Sequence, residues 1–425
     1  MGSPNTGRSS VGLVIGPLRR RRRSPLLFRL TPASLPPGAT FTRSTTATYV
    51  DTNGVYQTAG ANALRSGHYI GGVQSILLEG SRTNSVLWSR DLTNAAWSTS
   101  GGSITSALNA TGLDGTANSA TTISDNDGVN LGYWNQTLTV PVDSNVHALS
   151  VYVRKDATSG RQVAVNLNIT GGTTVQRVAW LNTQTGATSS SSIIGTTSSR
   201  VVDGGLWWIV EVTVTNNSTA ANTTLTTRIY AAGGTVQGTF DGTVTGSCVV
   251  GQVQVELNAP FYSSPIFTTT ATVTRGADSD VFPPPGTPQT STYYIKRVLG
   301  GNGPILEIGT GLAGVSLLRI QDLNVANYWV DANATALNAT NVATAVAGDT
   351  VESRFILYPD GSIQYRASVN GAAEVLSPRS AASGFMPTWT STFKLNRAAG
   401  IDGFAAFQSI KIATGVQSLA EMRTL

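Results

Sequence analysis

The segment LWWIVEVTV, residues Leu206–Val214, alternates between two kinds of position. Every second side chain from Trp208 onward is apolar, whereas the other face carries Glu211 and Thr213 beside Trp207. A period of two is typical of a β-strand with one buried face. We therefore predict a strand here, with Trp208 in a core and Trp207 on a face open to solvent or to a neighbour.

The same alternation recurs along the chain in short runs separated by glycine, asparagine and aspartate, which favour tight turns. Helical periodicity is nearly absent, and 45 of the 425 residues are glycine. An all-β fold built from β-sandwiches follows from this pattern. The one helix signal is a capping box, Ser418 with Glu421 three residues later. The further predicted strands are Val146–Val153, Val163–Ile169, Val249–Leu257, Val315–Ile320, Val351–Leu357, Ile363–Val369 and Phe404–Ile412.

Two proline-rich segments divide the chain. One contains Pro32, Pro36 and Pro37, and the other reads FPPPGTP at residues 282–288. Consecutive prolines fix φ and cannot lie within a central strand, so we predict a rigid, exposed linker with independently folding sandwiches on both sides. The predicted divisions are an arm (1–36), a first sandwich region (37–281), a linker (282–289) and a second sandwich region (290–425).

The basic charge of the chain is concentrated in the arm. Residues 1–29 hold seven arginines and no acidic residue. Without them, 21 basic residues face 23 acidic ones, and the net charge of +5 becomes −2. A near-neutral body does not favour nucleic acid as a partner. The arginines follow the short apolar stretch Val11–Ile15, an order that does not favour a signal peptide.

Five of these arginines are adjacent and repel one another unless carboxylates or phosphates neutralise them. We predict that they anchor the arm to an acidic surface of another protein, with a solvated disordered tail as the alternative. The predicted anchoring residues are Arg19, Arg20, Arg21, Arg22 and Arg23.

Several chemistries are disfavoured by composition. The single cysteine, Cys248, cannot form an intrachain disulfide and is expected to be a small buried side chain. His68 and His147 are the only histidines, so a zinc site built from histidine and cysteine would need nearly all three residues. The sequence contains no run of 18 apolar residues, the length that would predict a membrane span. We predict no cofactor and no metal.

Two groups of acidic residues have both a functional and a structural interpretation. The sequence DNDG at residues 125–128 could ligate calcium through oxygen, but it lacks further ligands at loop spacing and is better interpreted as a turn. Glu79 and Glu256 could form a glycosidase pair. The favoured interpretation is that the segment Glu79-Gly80-Ser81-Arg82 makes an internal Arg–carboxylate contact, and we predict that the chain is not an enzyme.

Three segments, in order, resemble a group of bacteriophage structural proteins described as tail fibre, tail spike or minor tail proteins. They read FTRSTTATYVD from residue 41, LLEGSRTN from residue 77, and QVQVE from residue 252 followed by VTRGAD from residue 273. The resemblance covers residues 41–280. It implies that about 87–258 form a jelly roll like those of carbohydrate-binding modules, with the flanking segments packed together as a base. Residues 290–425 look, more loosely, like a concanavalin-A-type lectin sandwich.

The resemblance implies a non-enzymatic virion protein, assembled in the bacterial host cytoplasm, that attaches to the host surface. Its implied partners are other virion proteins (portal, adaptor, tail or capsid) and a host-surface glycan. The resemblance also implies that the chain forms a homotrimer and does not insert into a membrane. A capsid head-fibre or decoration protein, a polysaccharide depolymerase and a secreted glycan-binding protein remain alternatives. Because sugars stack on tryptophan faces, the candidate sugar-binding residues are Trp97, Trp134 and Trp207.

Overall fold

The structure is a computed structural model of the 425-residue chain. The described residues are 26–30, 35–70, 72–156, 162–193, 197–217, 221–282, 291–299, 303–308, 318–323, 327–332, 335–341, 345, 348–358, 360, 362–379, 393–395, 397–398, 401–402, 404–414 and 417–424.

Strands account for nearly all of the regular structure, as the alternating pattern predicts. The first group is β1 (Leu26–Leu30), β2 (Thr40–Thr42), β3 (Ala47–Val50), β4 (Tyr56–Ala59), β5 (Arg65–Ile70), β6 (Val73–Glu79) and β7 (Arg82–Asn84). The second group is β8 (Ser98–Ser100), β9 (Ile104–Ala110), β10 (Ala120–Asp125), β11 (Tyr133–Thr139), β12 (Val146–Arg154), β13 (Gln162–Thr170), β14 (Val175–Asn182), β15 (Thr188–Ile193), β16 (Thr197–Asp203), β17 (Trp207–Thr215), β18 (Thr224–Gly234) and β19 (Gly246–Glu256). The third group is β20 (Val273–Arg275), β21 (Ser279–Val281), β22 (Ser291–Leu299), β23 (Gly303–Ile308), β24 (Leu318–Leu323), β25 (Asn327–Ala332), β26 (Thr335–Asn341), β27 (Thr350–Leu357), β28 (Ile363–Val369), β29 (Val375–Leu376), β30 (Phe393–Leu395), β31 (Arg397–Ala398), β32 (Ile401–Asp402) and β33 (Phe404–Thr414), followed by the helix α1 (Leu419–Thr424).

The second group forms a sandwich of the jelly-roll type. Sheet I has the strand order β16-β17-β12-β19-β10-β9, and sheet II has the order β15-β14-β13-β18-β11-β8. Both sheets are antiparallel throughout. Their facing side chains form one core, in which Val210, Val212 and Val214 of β17 meet residues such as Val165 and Leu167 of β13. Burial of this apolar area is the main force that holds the two sheets together.

The segments on either side of the sandwich pair with each other, as the resemblance implies. β2 pairs with β21, and β7 pairs with β20, in both cases antiparallel. We call these two segments, residues 35–86 and 258–282, the base. Side chains of the base, among them Tyr56 and Tyr262, pack on the outer face of sheet I against Tyr152, Trp207 and Ile209.

A third sheet joins distant parts of the chain and crosses the predicted linker. Its eight strands have the order β29-β28-β27-β22-β33-β6-β5, with β1 also paired to β33. Residues 404–407 of β33 pair with β6 of the base, and residues 410–413 pair with β1. The C-terminal strands therefore share main-chain hydrogen bonds with the base. This pairing does not support the expectation that 290–425 folds by itself, although the domain boundaries remain a prediction.

The predicted linker and arm lie mainly outside the described residues. Phe282, which begins the linker segment, is buried rather than exposed, whereas 283–290 fall outside the described part. The anchoring residues Arg19–Arg23 also lie outside it, so their role remains a prediction. Residues 26–30, the part of the arm that the structure describes before residue 35, form β1, which pairs with this chain's own β33.

The end of the chain follows the sequence prediction closely. The Ser418 backbone N–H donates to the Glu421 carboxylate at 2.8 Å, and the Glu421 N–H donates to Ser418 Oγ at 3.2 Å. This reciprocal pair caps the helix α1. Met422 of that helix is buried against Tyr294 and Ala413, which attaches the helix to the third sheet.

Candidate functional site

The base contains a buried network of charged side chains. Arg43 and Arg65 both contact Asp278, with a distance of 2.9 Å from Arg43 Nη1 to Asp278 Oδ1. Arg65 also pairs with Glu79, and Arg275 Nη1 lies 2.9 Å from Glu79 Oε2. All five side chains are at most 2% exposed in these pairs. Charges buried this deeply need partners, and each one here has an opposite charge in contact.

Serines complete this network. The Ser264 backbone N–H and hydroxyl both donate to Glu79, at 2.7 and 2.6 Å. Ser263 donates in the same way to Glu256, through its N–H at 2.8 Å and through its hydroxyl. Arg275 donates to both serine hydroxyls. An internal Arg–carboxylate contact of Glu79 is thus confirmed, but its partners are Arg65 and Arg275. Arg82, the arginine of the same segment, donates instead to the carbonyl of Ser81.

The two glutamates of the hypothetical glycosidase pair have pKa values shifted in opposite directions. Burial opposes ionisation of Glu79, but the guanidinium groups of Arg275 and Arg65 outweigh it and lower the pKa of Glu79 to about 2. Burial raises the pKa of Glu256, although Ser263 and Arg275 partly compensate. Both carboxyl groups are committed to protein partners inside the base, an arrangement that suits a structural role.

The candidate sugar-binding tryptophans are buried. Trp97, Trp134 and Trp207 are 4%, 0% and 2% exposed. Trp97 and Trp134 belong to the core between sheets I and II, and the Trp97 indole N–H donates to the carbonyl of Trp88 at 3.1 Å. None of the three presents an open ring face on which a sugar could stack, so these assignments are corrected.

The alternation in Leu206–Val214 is confirmed, but the exposure of its two faces is not. The face that carries Trp207 is covered by the base, and the Trp207 ring lies over Gly251 of β19. Trp208, expected in the core, is half-buried at its edge. Its indole N–H donates to the carbonyl of Thr183 at 2.8 Å, and Lys155 Nζ lies 4.2 Å from its ring centroid. The sequence pattern identifies the two faces of a strand but not what packs on each.

The remaining sequence candidates have structural roles. Asp125 accepts from the N–H groups of Asp127 and Gly132, and Asp127 accepts from those of Gly102 and Val129, so the predicted turn is confirmed. Across the described ranges, no group of three or more histidine, cysteine, aspartate or glutamate side chains is arranged to hold a metal ion. In the same ranges, none of the helices has the length and hydropathy of a membrane span.

Two isolated residues are also buried. Cys248 is a free thiol in the sandwich core, as expected, and burial raises its pKa to about 12. His147 is fully buried, with Nε2 at 3.6 Å from Asp143.

A cavity of about 410 Å³ lies between the base and the outer face of sheet I. The base contributes residues of β3, β4 and β5, the turn after β3, and the segment around Tyr262. Sheet I contributes Tyr152, Ile209 and the turn that joins β16 to β17. Five tyrosines line the cavity, namely Tyr49, Tyr56, Tyr69, Tyr152 and Tyr262. Pockets of 300–1,000 Å³ with aromatic walls and a few polar groups are typical of small-molecule sites.

His68 is the histidine of this cavity. It is 7% exposed, and its Nδ1 accepts from the Val50 N–H at 3.4 Å. Burial, together with repulsion from Arg65, lowers its pKa to about 4. The ring is therefore neutral at pH 7, with its proton on Nε2, because Nδ1 is the acceptor.

Sequence reasoning missed this cavity. Its lining comes from segments around residues 50, 70, 152, 205 and 263, which no single motif connects. Tyr49 and Asp51 lie within the first resembling segment, but only the packing of the base on sheet I brings them close to Tyr152. The available signal was the excess of tyrosine in the framing segments.

No family model matches the sequence, and the curated proteins contain no match to it. Among solved structures, the chain is similar to domains LG4-5 of the mouse laminin alpha1 chain, with a TM-score of 0.22 and 13% identity over 70% of this chain and 90% of that one. It is also similar to the GH43 protein BlXynB from Bacillus licheniformis, with a TM-score of 0.24 and 8% identity over 87% of this chain and 74% of that one. Both TM-scores are low, so the assignment to the all-β sandwich class depends on the strand pairing described above.

Proposed function

We propose that this chain is a non-enzymatic structural protein of a bacteriophage virion, a tail fibre, spike or minor tail component that contributes to host-surface attachment. The observation that carries this proposal is the way the resembling segments meet. Arg43 of the first segment, Glu79 of the second, and Arg275 and Asp278 of the third belong to one buried network. The residues that carry the resemblance are therefore the residues that build the base.

The non-enzymatic part of the proposal is supported by the carboxylates. Glu79 and Glu256 are both buried and bound to arginine or serine, so neither is free to transfer a proton to a glycosidic oxygen. A turnover assay on host capsule or lipopolysaccharide tests it. We expect no release of reducing ends, and sustained release would overturn this part in favour of a depolymerase.

The location in the virion is tested on purified particles. We expect peptides of this chain in their mass spectra and antibody label on the tail by electron microscopy. Label on the capsid would instead favour the head-fibre or decoration protein. The absence of the chain from particles would overturn the virion assignment.

The arm supplies the attachment point in this proposal. Replacing Arg19–Arg23 with serine, or deleting residues 1–25, removes the basic residues and leaves the β1–β33 pairing intact. Each charge-assisted contact is worth about 1.5–3 kcal/mol, so the loss of five should abolish incorporation into particles while the melting temperature stays unchanged. Normal incorporation of either variant would contradict the anchor.

We also propose that the chain assembles as a homotrimer, the state that the phage resemblance implies. Light scattering of the purified chain, and of the chain released from particles, should give three times the mass of 44.3 kDa. A monomer in both samples would overturn the trimer.

A further inference from the structure

The cavity between the base and sheet I is lined by buried polar groups whose hydrogen-bonding capacity the protein leaves partly unused. Within the described part of the chain, His68 Nε2 is buried and makes no hydrogen bond, whereas the buried Tyr152 hydroxyl has the Tyr56 hydroxyl as its partner. Both residues line the cavity. A buried donor without a partner is destabilising, so such a group usually has a ligand, a water molecule or a functional role.

These two groups differ in what they offer to a ligand. His68 is an N–H donor at Nε2, because Nδ1 accepts from Val50. The Tyr152 hydroxyl donates to Tyr56 and offers its oxygen as an acceptor, and burial beside Tyr56 and Tyr262 keeps it protonated by raising its pKa. A ligand that satisfies both needs an acceptor and a hydroxyl-like group.

The walls favour a flat, partly apolar ligand. Tyr56 and Tyr152 meet edge to face, with ring centroids 5.8 Å apart and an interplanar angle of 88°. Leu77, Ile209 and Pro265 add apolar surface. Tyr56, Tyr152 and Tyr262 are buried, whereas the rings of Tyr49 and Tyr69 are half-buried and are the ones open to a ligand. Such rings with a few polar groups suit the apolar face of a pyranose ring, whose hydroxyls reach the polar groups at its edge.

The charges around the cavity disfavour an anionic ligand. Asp51 and Asp203 line it, and the 60% exposed Asp203 side chain is paired with Lys155. The neutral ring of His68 supplies no positive charge inside at pH 7. A carboxylate or phosphate would meet the charge of Asp51 and find no unpaired cation among the lining residues, so an uncharged ligand is favoured.

We propose that this cavity is a binding site for a neutral sugar of one or two pyranose rings, held by His68 Nε2–H and the Tyr152 hydroxyl between tyrosine walls. Trp97 and Trp134 lie in the sandwich core, and Trp207 packs beside the cavity without lining it. It is independent of the virion assignment, because it would serve a secreted glycan-binding protein equally well.

The test is a titration of the full-length chain with methyl glycosides of glucose, galactose, mannose, rhamnose and N-acetylglucosamine, followed by calorimetry and NMR. We expect at least one of them to bind at millimolar concentration and to shift the His68 Nε2 signal. Glucuronic acid serves as the anionic comparison and is expected not to bind. Binding of none of the neutral glycosides, or equal binding of glucuronic acid, would overturn the proposal.

Three variants separate the site from general stability. Tyr152→Phe removes one hydroxyl from the cavity and should weaken binding about fivefold, the effect of one hydrogen bond. Tyr230→Phe is the matched control, because Tyr230 packs with Trp180 in a separate cluster that includes residues of sheet II, and it should bind as wild type. Val202→Phe fills the cavity and should abolish binding. Sugar binding that survives both Tyr152→Phe and Val202→Phe would place the ligand elsewhere and overturn the site.

Discussion

Arg43 Nη1 lies 2.9 Å from Asp278 Oδ1, although 235 positions separate the two residues along the chain. The contact joins the entry of the base to its exit, on either side of the whole jelly roll. Asp278 also binds Arg65 and accepts the backbone N–H of Glu79 at 2.8 Å. One carboxylate thus connects the two ends of the region that carries the phage resemblance.

The substitution Asp278→Asn is expected to destabilise the chain strongly. It removes the charge that Arg43 and Arg65 share and leaves two buried guanidinium groups without full compensation, which costs about 3–5 kcal/mol. The measurement is the free energy of unfolding in urea. Asp114→Asn is the matched control, because Asp114 pairs with Arg90 at a partly exposed site and its loss should cost less than about 1 kcal/mol. An equal loss of unfolding free energy in the two variants would contradict the stabilising role of the buried charge network.

Acidification is expected to destabilise the chain through His68. Its folded-state pKa of about 4 lies below the ordinary value of 6.5, so the unfolded state binds the proton first as the pH falls. The contribution of neutral His68 to the free energy of unfolding is therefore complete above pH 6.5. It declines by up to about 3 kcal/mol as the pH falls to 4. Glu79 follows at lower pH, because its pKa of about 2 makes its contribution decline between pH 4.5 and 2.

The measurement is the unfolding free energy of wild type and His68→Gln from pH 7 to pH 4. Glu211 and Glu256 have raised pKa values and change stability in the opposite direction, but they are common to both proteins. The difference in unfolding free energy between wild type and His68→Gln therefore reports the effect of the histidine alone. We expect this difference to shrink as the pH falls. Parallel curves would contradict a neutral His68.

Gly251→Ala is expected to disturb the packing of the base on sheet I. A Cβ at this position would lie 2.7 Å from Cζ3 of the Trp207 ring, which is too close for van der Waals contact. Overpacking of this kind costs about 1–3 kcal/mol. Gly60→Ala is the matched control, because nothing lies within 4 Å of its added Cβ. A melting temperature equal to that of Gly60→Ala would show that Trp207 is free to move.

The isolated fragment 290–425 is expected not to melt cooperatively. In the whole chain one edge of β33 is paired with β6 and β1, and the fragment leaves that edge without partners. Exposed strand edges promote aggregation. The measurement is circular dichroism during heating, with the full-length chain as reference. A soluble fragment with a sharp transition would restore the linker as a boundary between independent domains.

Local structure could be predicted from the sequence. The alternation in Leu206–Val214 places Val210 and Val212 on one face, and the pair Ser418 and Glu421 starts a helix, because both signals act between neighbouring residues. The internal contact of Glu79 was also predictable, since a buried carboxylate requires a partner.

Which surfaces are covered, and which segments share a sheet, could not be predicted in this way, because both depend on contacts between distant parts of the chain. Trp207 stands beside Glu211 and Thr213 in sequence, yet the base covers that whole face, so the polar neighbours did not indicate exposure. The β33–β6 pairing and the cavity around His68 likewise join segments hundreds of residues apart. Burial and long-range pairing depend on the packing of the entire chain, and a local pattern contains no information about which distant surface will pack against it.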